Sequence, residues 1–158
     1  MTIAYRAAEV ADAPFVVSQW SRCFKSSRSA GVIADEDWPK IAHAQIQKLV
    51  SRPGVITLVA YENTAPTFLY GFISGEPGSS IPIVHFVCTK EAYRRAGYAR
   101  GMFAAIGIDP SRPFVYTHWT PVVAKVRELI PLARHEPNYA RIANYIPPET
   151  RSRSWKQQ

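Results

Sequence analysis

Apolar positions follow two rhythms along this chain. One is helical. Phe15, Val16, Trp20 and Phe24 recur at roughly helical spacing and so share one face. Asp12 stands where an N-cap belongs and Pro14 falls in the first turn, so the pattern predicts a helix from there to about Ser26. A second helix opens at Glu36 or Asp37 and carries Trp38, Ile41, Ile46 and Leu49, until Pro53-Gly54 stops it. A third covers roughly 98–107. A fourth starts at Thr120-Pro121, with the hydroxyl as N-cap and the proline at the first helical position, and is lined by Val122, Val123, Val126, Leu129 and Ile130.

The other rhythm is extended. Residues 2–6 form a short first strand. Val55–Tyr61 and Thr67–Gly75 are rich in β-branched and aromatic residues, and Glu62–Pro66 between them reads as the turn of a hairpin. Ile81–Thr89 and Phe114–His118 are further strands. Pro131, Pro137, Pro147 and Pro148 break any long helix near the end, where 139–145 can hold a short strand or turn. A strand meander followed by helical crossovers predicts an α/β (α+β) fold: a mixed, mostly antiparallel central sheet with helices on both faces.

The chain has 158 residues, which suits one domain, 1–158. Its net charge of +7, from 19 basic against 12 acidic residues, favours an anionic partner. The excess forms two clusters: Arg94, Arg95 and Arg100, and Arg151, Arg153 and Lys156 in a flexible basic tail at about 149–158. Two cysteines, Cys23 and Cys88, make neither a disulfide framework nor a metal cluster, so reduced thiols in a cytoplasmic setting are expected. Four scattered histidines give no metal spacing, and neither a Walker-type loop nor a dinucleotide fingerprint occurs. No secretory signal and no membrane span are expected.

One stretch, 81–106, joins an apolar strand, a basic glycine-containing loop and a helix. That order places unpartnered helical N–H groups beside arginines, an arrangement that attracts phosphate. Gly97 permits close approach to the backbone, and Ala99 and Gly101 keep the first turn thin.

Arg94-x-x-Gly97-x-Ala99 after a strand resembles the acyl-CoA loop of the GNAT superfamily of N-acyltransferases. The element order over about 2–130 is similar too. Arg95 departs from the small residue usual at its place, and Ala99 stands where glycine is usual. The resemblance implies acetyl-CoA as donor: its pantetheine arm along Val87-Cys88-Thr89, and its pyrophosphate on Arg94, Arg95, Ala96, Gly97, Tyr98, Ala99 and Arg100. It implies an unknown primary amine as acceptor, in a monomer or homodimer. The 26–31 loop sits where the family often lines its acceptor site. Two alternatives stay open: a Mom-like DNA-modifying member of the fold that meets nucleic acid through the basic tail, and a non-catalytic CoA-binding or interaction protein.

His85, on the motif strand, is a general-base candidate. Strand alternation puts it on one side with Val87 and Thr89, and Cys88 on the other as a small core residue. His118, at the end of the next strand, is a second candidate, and Glu76 an outside one. Tyr139 takes the place where the resembling family often has a tyrosine near the thiol, and is the acid candidate.

Overall fold

A computed structural model describes residues 2–25, 36–79 and 81–136. Six strands lie side by side in chain order: β1 (Ile3–Ala7), β2 (Ile56–Glu62), β3 (Ala65–Glu76), β4 (Ile83–Thr89), β5 (Phe114–Tyr116) and β6 (Ala133–His135). Neighbours from β1 to β4 are antiparallel, and β4–β5 and β5–β6 are parallel. The connections explain the switch. β2 and β3 are joined by a tight turn, whereas the β4–β5 link carries α3 (Tyr98–Ile106) and the β5–β6 link carries α4 (Pro121–Val126). The expected mixed sheet is therefore present, one strand wider than the pattern foretold. β6, Ala133-Arg134-His135, has no apolar alternation; it pairs with β5 through its backbone, and its His135 ring stacks on Tyr116. The expected 139–145 element lies outside the described residues.

Helices cover both faces. On one side α1 (Ala13–Lys25) and α2 (Trp38–Val50) lay Val16, Trp20, Trp38, Ala42, Ile46 and Leu49 over Val59, Phe72, Phe86 and Cys88. Trp20 is fully buried. Truncating a side chain of that size in a core costs about 3–5 kcal/mol. On the other side α3 packs Met102 and Ile106 against Ala60, Tyr70, Ile73 and Val84. α3 sits close to the sheet because Gly101 has no side chain: a Cβ there would overlap the hydroxyl of Tyr5 on β1.

Two terminal signals resolve differently. Thr120 Oγ1 accepts the Val123 N–H at 3.3 Å, the predicted cap of α4. Asp12 is not a simple cap of α1. It ends a 3-10 turn just before the helix, where its buried carboxylate takes the Glu9 N–H at 2.8 Å and two bonds from Arg6.

Candidate functional site

The sheet opens along β4. The Thr117 N–H donates to the Val84 carbonyl, so the main chain at Val84 addresses β5. The Lys90 N–H donates to Tyr70 O, so the main chain at Lys90 addresses β3. Even-numbered residues have changed sides between these points, which requires one extra residue in β4. That residue is His85, since Gly75 pairs with Val84 and Ser74 with Phe86. Beyond the bulge, Phe86 and Cys88 turn their main-chain groups to β3, and Val87 and Thr89 turn theirs to the opposite edge. Of β4, only Ile83 and Val84 pair with β5, which stops at Tyr116. The Val87–Thr89 edge therefore faces a gap between diverging strands.

A buried polar chain holds the bulge. His85, 1% exposed, meets Glu76 Oε2 through Nε2 at 2.6 Å. A carboxylate accepts, so Nε2 carries the proton. Arg52, just past α2, donates to Glu76 Oε1 at 3.1 Å. On the other side of the ring, Thr117 Oγ1 lies 3.3 Å from His85 Nδ1. His118 Nδ1 lies 2.9 Å from the His85 carbonyl oxygen. The same nitrogen lies 2.7 Å from Thr117 Oγ1, so the hydroxyl, the His118 ring and the His85 carbonyl form one polar cluster. Burial pulls the His118 pKa down to about 4, so the ring is neutral at pH 7. Its ring packs at the edges of Trp20 and Phe86, with centroids 5.9 and 6.2 Å away.

At the far end of β4 the chain makes a short 3-10 turn, Glu91–Tyr93, and then the basic loop. Arg95 adopts φ +69° and Gly97 φ +83°, two left-handed residues that swing the chain into α3. Glycine takes this conformation freely, and arginine at a cost. No side chain caps α3, so the amides of its first turn keep their donors. Arg94, Arg95 and Arg100 are exposed, and no carboxylate pairs with any of them among the described residues. Arg94 turns its Nε back to the Thr89 carbonyl at 3.3 Å and so bridges the loop to the open edge. Beneath the loop, Tyr98 stacks on Tyr70 at 4.9 Å, and Tyr93 meets both rings edge-on. Tyr70 is anchored in turn by donating to Glu62 at 2.6 Å. That bond draws the Glu62 pKa down to about 2 and pushes Tyr70 up to about 12.

No family model matches the chain, and no curated protein matches it. Solved structures do match. A Pyrococcus furiosus protein classed by inference as an acetyl transferase superposes with a TM-score of 0.60, over 81% of this chain and 91% of its own, at 12% identity. The chain has the GNAT fold. The PaiA N-acetyltransferase of Thermoplasma acidophilum, solved in complex with coenzyme A, aligns with 66% of this chain and 69% of its own at 15% identity, with a TM-score of 0.49.

Within the GNAT fold the predicted residues separate into groups. Val87, Thr89, Arg94, Arg95, Ala96, Gly97, Tyr98, Ala99 and Arg100 follow one another from the open edge of β4, through the basic loop, into the first turn of α3. Cys88 departs from that expectation. Its main chain pairs with Phe72, and its side chain is buried under α1 and α2. His85 does not share a face with Val87 and Thr89. The bulge turns its ring to the α1–α2 side with Glu76 and Phe86, and Val87 packs on the α3 side. His85 and Glu76 are spent on each other, and His118 borders the bulge. Tyr139, the 26–31 loop and the basic tail with Arg151, Arg153 and Lys156 lie outside the described residues. Arg52 and Thr117 were not among the candidates. Their signal was available: Glu76 and His85 sit inside apolar strands, and a buried polar group calls for a partner.

No group of three metal-ligating side chains occurs among the described residues, and no helix there is long and apolar enough to cross a membrane.

Proposed function

We propose that this chain is an acyl-CoA-dependent N-acyltransferase that moves an acetyl group from acetyl-CoA to a primary amine. One observation carries the reading. An uncapped helix start, ringed by three arginines that meet no carboxylate among the described residues, adjoins a strand edge where the Val87 main chain has no β5 partner and Arg94 reaches the Thr89 carbonyl. A nucleotide alone would use the loop and leave the edge idle. A donor with a diphosphate and a peptide-like arm uses both.

Acetyl-CoA supplies an acyl group already activated as a thioester. The chain supplies the rest. The first amides of α3, with Arg94, Arg95 and Arg100, hold the pyrophosphate. Val87 and Thr89 offer donors and acceptors to the pantetheine amides in the manner of an added strand. The bulge aims the Val87 N–H into the gap, where a donor stabilises charge developing on a carbonyl oxygen. We assign His118 as the general-base candidate, because its ring is neutral and it borders the gap. His85 is a positioning residue: its ring holds Glu76 and Thr117, and its carbonyl holds His118.

Calorimetry with acetyl-CoA tests the first half. Saturable binding is expected, and no heat at about 1 mM ligand would end the reading. Release of free CoA thiol with a panel of primary amines tests the second.

A further inference from the structure

The sheet face under α1 and α2 holds both cysteines of the chain. Trp20 of α1 stacks on Phe86 of β4, with centroids 5.2 Å apart and planes 18° from parallel. That stack fixes how helix and strand lie on each other. Cys23 comes three residues after Trp20, close to one helical turn, and so stays on the same side of α1. Cys88 comes two residues after Phe86, one full pleat, and so stays on the same face of β4. Cys23 accordingly packs against the buried cluster that holds Trp20, Phe86 and Cys88, and the two thiols share a hydrogen bond. Cys88 is buried, whereas Cys23 is half-buried, so a small reagent can reach the pair from one side. Arg22 and Arg94 add positive potential there.

We propose that Cys23 and Cys88 are a redox-active dithiol, which a hydroperoxide converts into an intramolecular disulfide tying α1 to β4. Neither thiol has a part in the acyl transfer above, so this inference stands or falls separately from it.

The chemistry divides between the two sulfurs. The bond from Cys88, and then the two arginines, pull the Cys23 thiol down to about 7 in spite of burial. The bond to Cys23 and burial push the Cys88 thiol up. Cys23 thus attacks as the thiolate. It displaces alkoxide or hydroxide from the peroxide oxygen and becomes a sulfenic acid. Cys88 then attacks the Cys23 sulfur, and its proton leaves with the sulfenic hydroxyl as water. Two thiols and one hydroperoxide give one disulfide, one alcohol or water from the peroxide, and one further water. The sulfurs are oxidised and the O–O bond is reduced.

The chain has no other cysteine, so an internal disulfide can join only these two. The test treats the full chain with a small molar excess of hydrogen peroxide. Intact mass should fall by two hydrogens, both titratable thiols should disappear, the protein should stay monomeric on a non-reducing gel, and dithiothreitol should restore it. In Cys88→Ser the reaction should halt at Cys23 as a sulfenic acid that dimedone captures. Three results would overturn the inference: a disulfide-linked dimer, sulfinic acid on Cys23 with Cys88 still reduced, or both thiols surviving the treatment. If Cys88→Ser does not fold, the wild-type mass decides alone.

Discussion

The two faces of the sheet handle charge in opposite ways. Under α2, Glu76 is 4% exposed and divides its two oxygens between Arg52 and His85. At the start of α3, three arginines stand in solvent with no carboxylate beside them among the described residues. A buried charge must be paired, and once paired it has nothing left for a ligand; its effect here is shape, because it holds the β4 bulge. An exposed and unpaired charge adds little to stability, and it keeps its full capacity for an incoming anion.

Four perturbations bear on that contrast. Glu76→Ala takes the shared partner from Arg52 and His85 and breaks the buried polar chain at its centre. A loss of about 3–5 kcal/mol is expected in urea denaturation. A loss under about 0.5 kcal/mol would place Glu76 with ordinary surface positions and erase the contrast.

Acid probes the same interior without mutation. Burial lowers the His118 pKa from 6.5 to about 4 in the folded state, so the unfolded chain binds the extra proton first. Stability should hold above pH 6.5, fall as pH drops from there towards 4, and lose no more from this group below that. The total is on the order of 3 kcal/mol, less whatever its partial exposure screens. His118→Gln should flatten that part of the pH profile, and an unchanged slope would assign it to another group.

On the other face, the double variant Arg94→Ala/Arg100→Ala should bind acetyl-CoA roughly ten- to a hundredfold more weakly, as expected for lost charged hydrogen bonds. Its urea midpoint should move little. A variant that unfolds early yet binds normally would reverse the two roles. The smallest effect is at Thr120→Ala, where loss of the α4 cap should cost about 1 kcal/mol and leave acetyl-CoA binding unchanged.

Much of the architecture was legible because the signals were local. Pro121 after Thr120, Gly97 before Tyr98, and the β-branched run of β2 each carry their own structural instruction. The anion loop was legible for the same reason, since its strand, glycine and arginines are contiguous. The bulge was not. Alternation counts residues in twos, and one inserted residue reverses every assignment upstream of it, which is why His85 lands opposite Val87. No residue type marks a bulge of this kind. It follows from Thr117 and His118 holding the His85 carbonyl, and those residues are more than thirty positions away. β6 escaped for a related reason: its three residues show no alternation, and what holds them, backbone pairing to β5 and the His135 ring on Tyr116, joins residues far apart in the chain.

The open edge of β4 has a consequence for solubility. Unpaired N–H and C=O groups in a row are a template on which another chain can add a strand. The protein carries its own guard there. Lys90 follows the strand immediately and spreads its ammonium over the Phe15 and Phe68 rings, and Arg94 occupies the Thr89 carbonyl. A cation at the end of an edge strand discourages a second copy, which would bring the same charge. The basic residues that favour an anionic donor therefore also repel the protein's own kind, and neutralising them would trade ligand affinity for a tendency to aggregate.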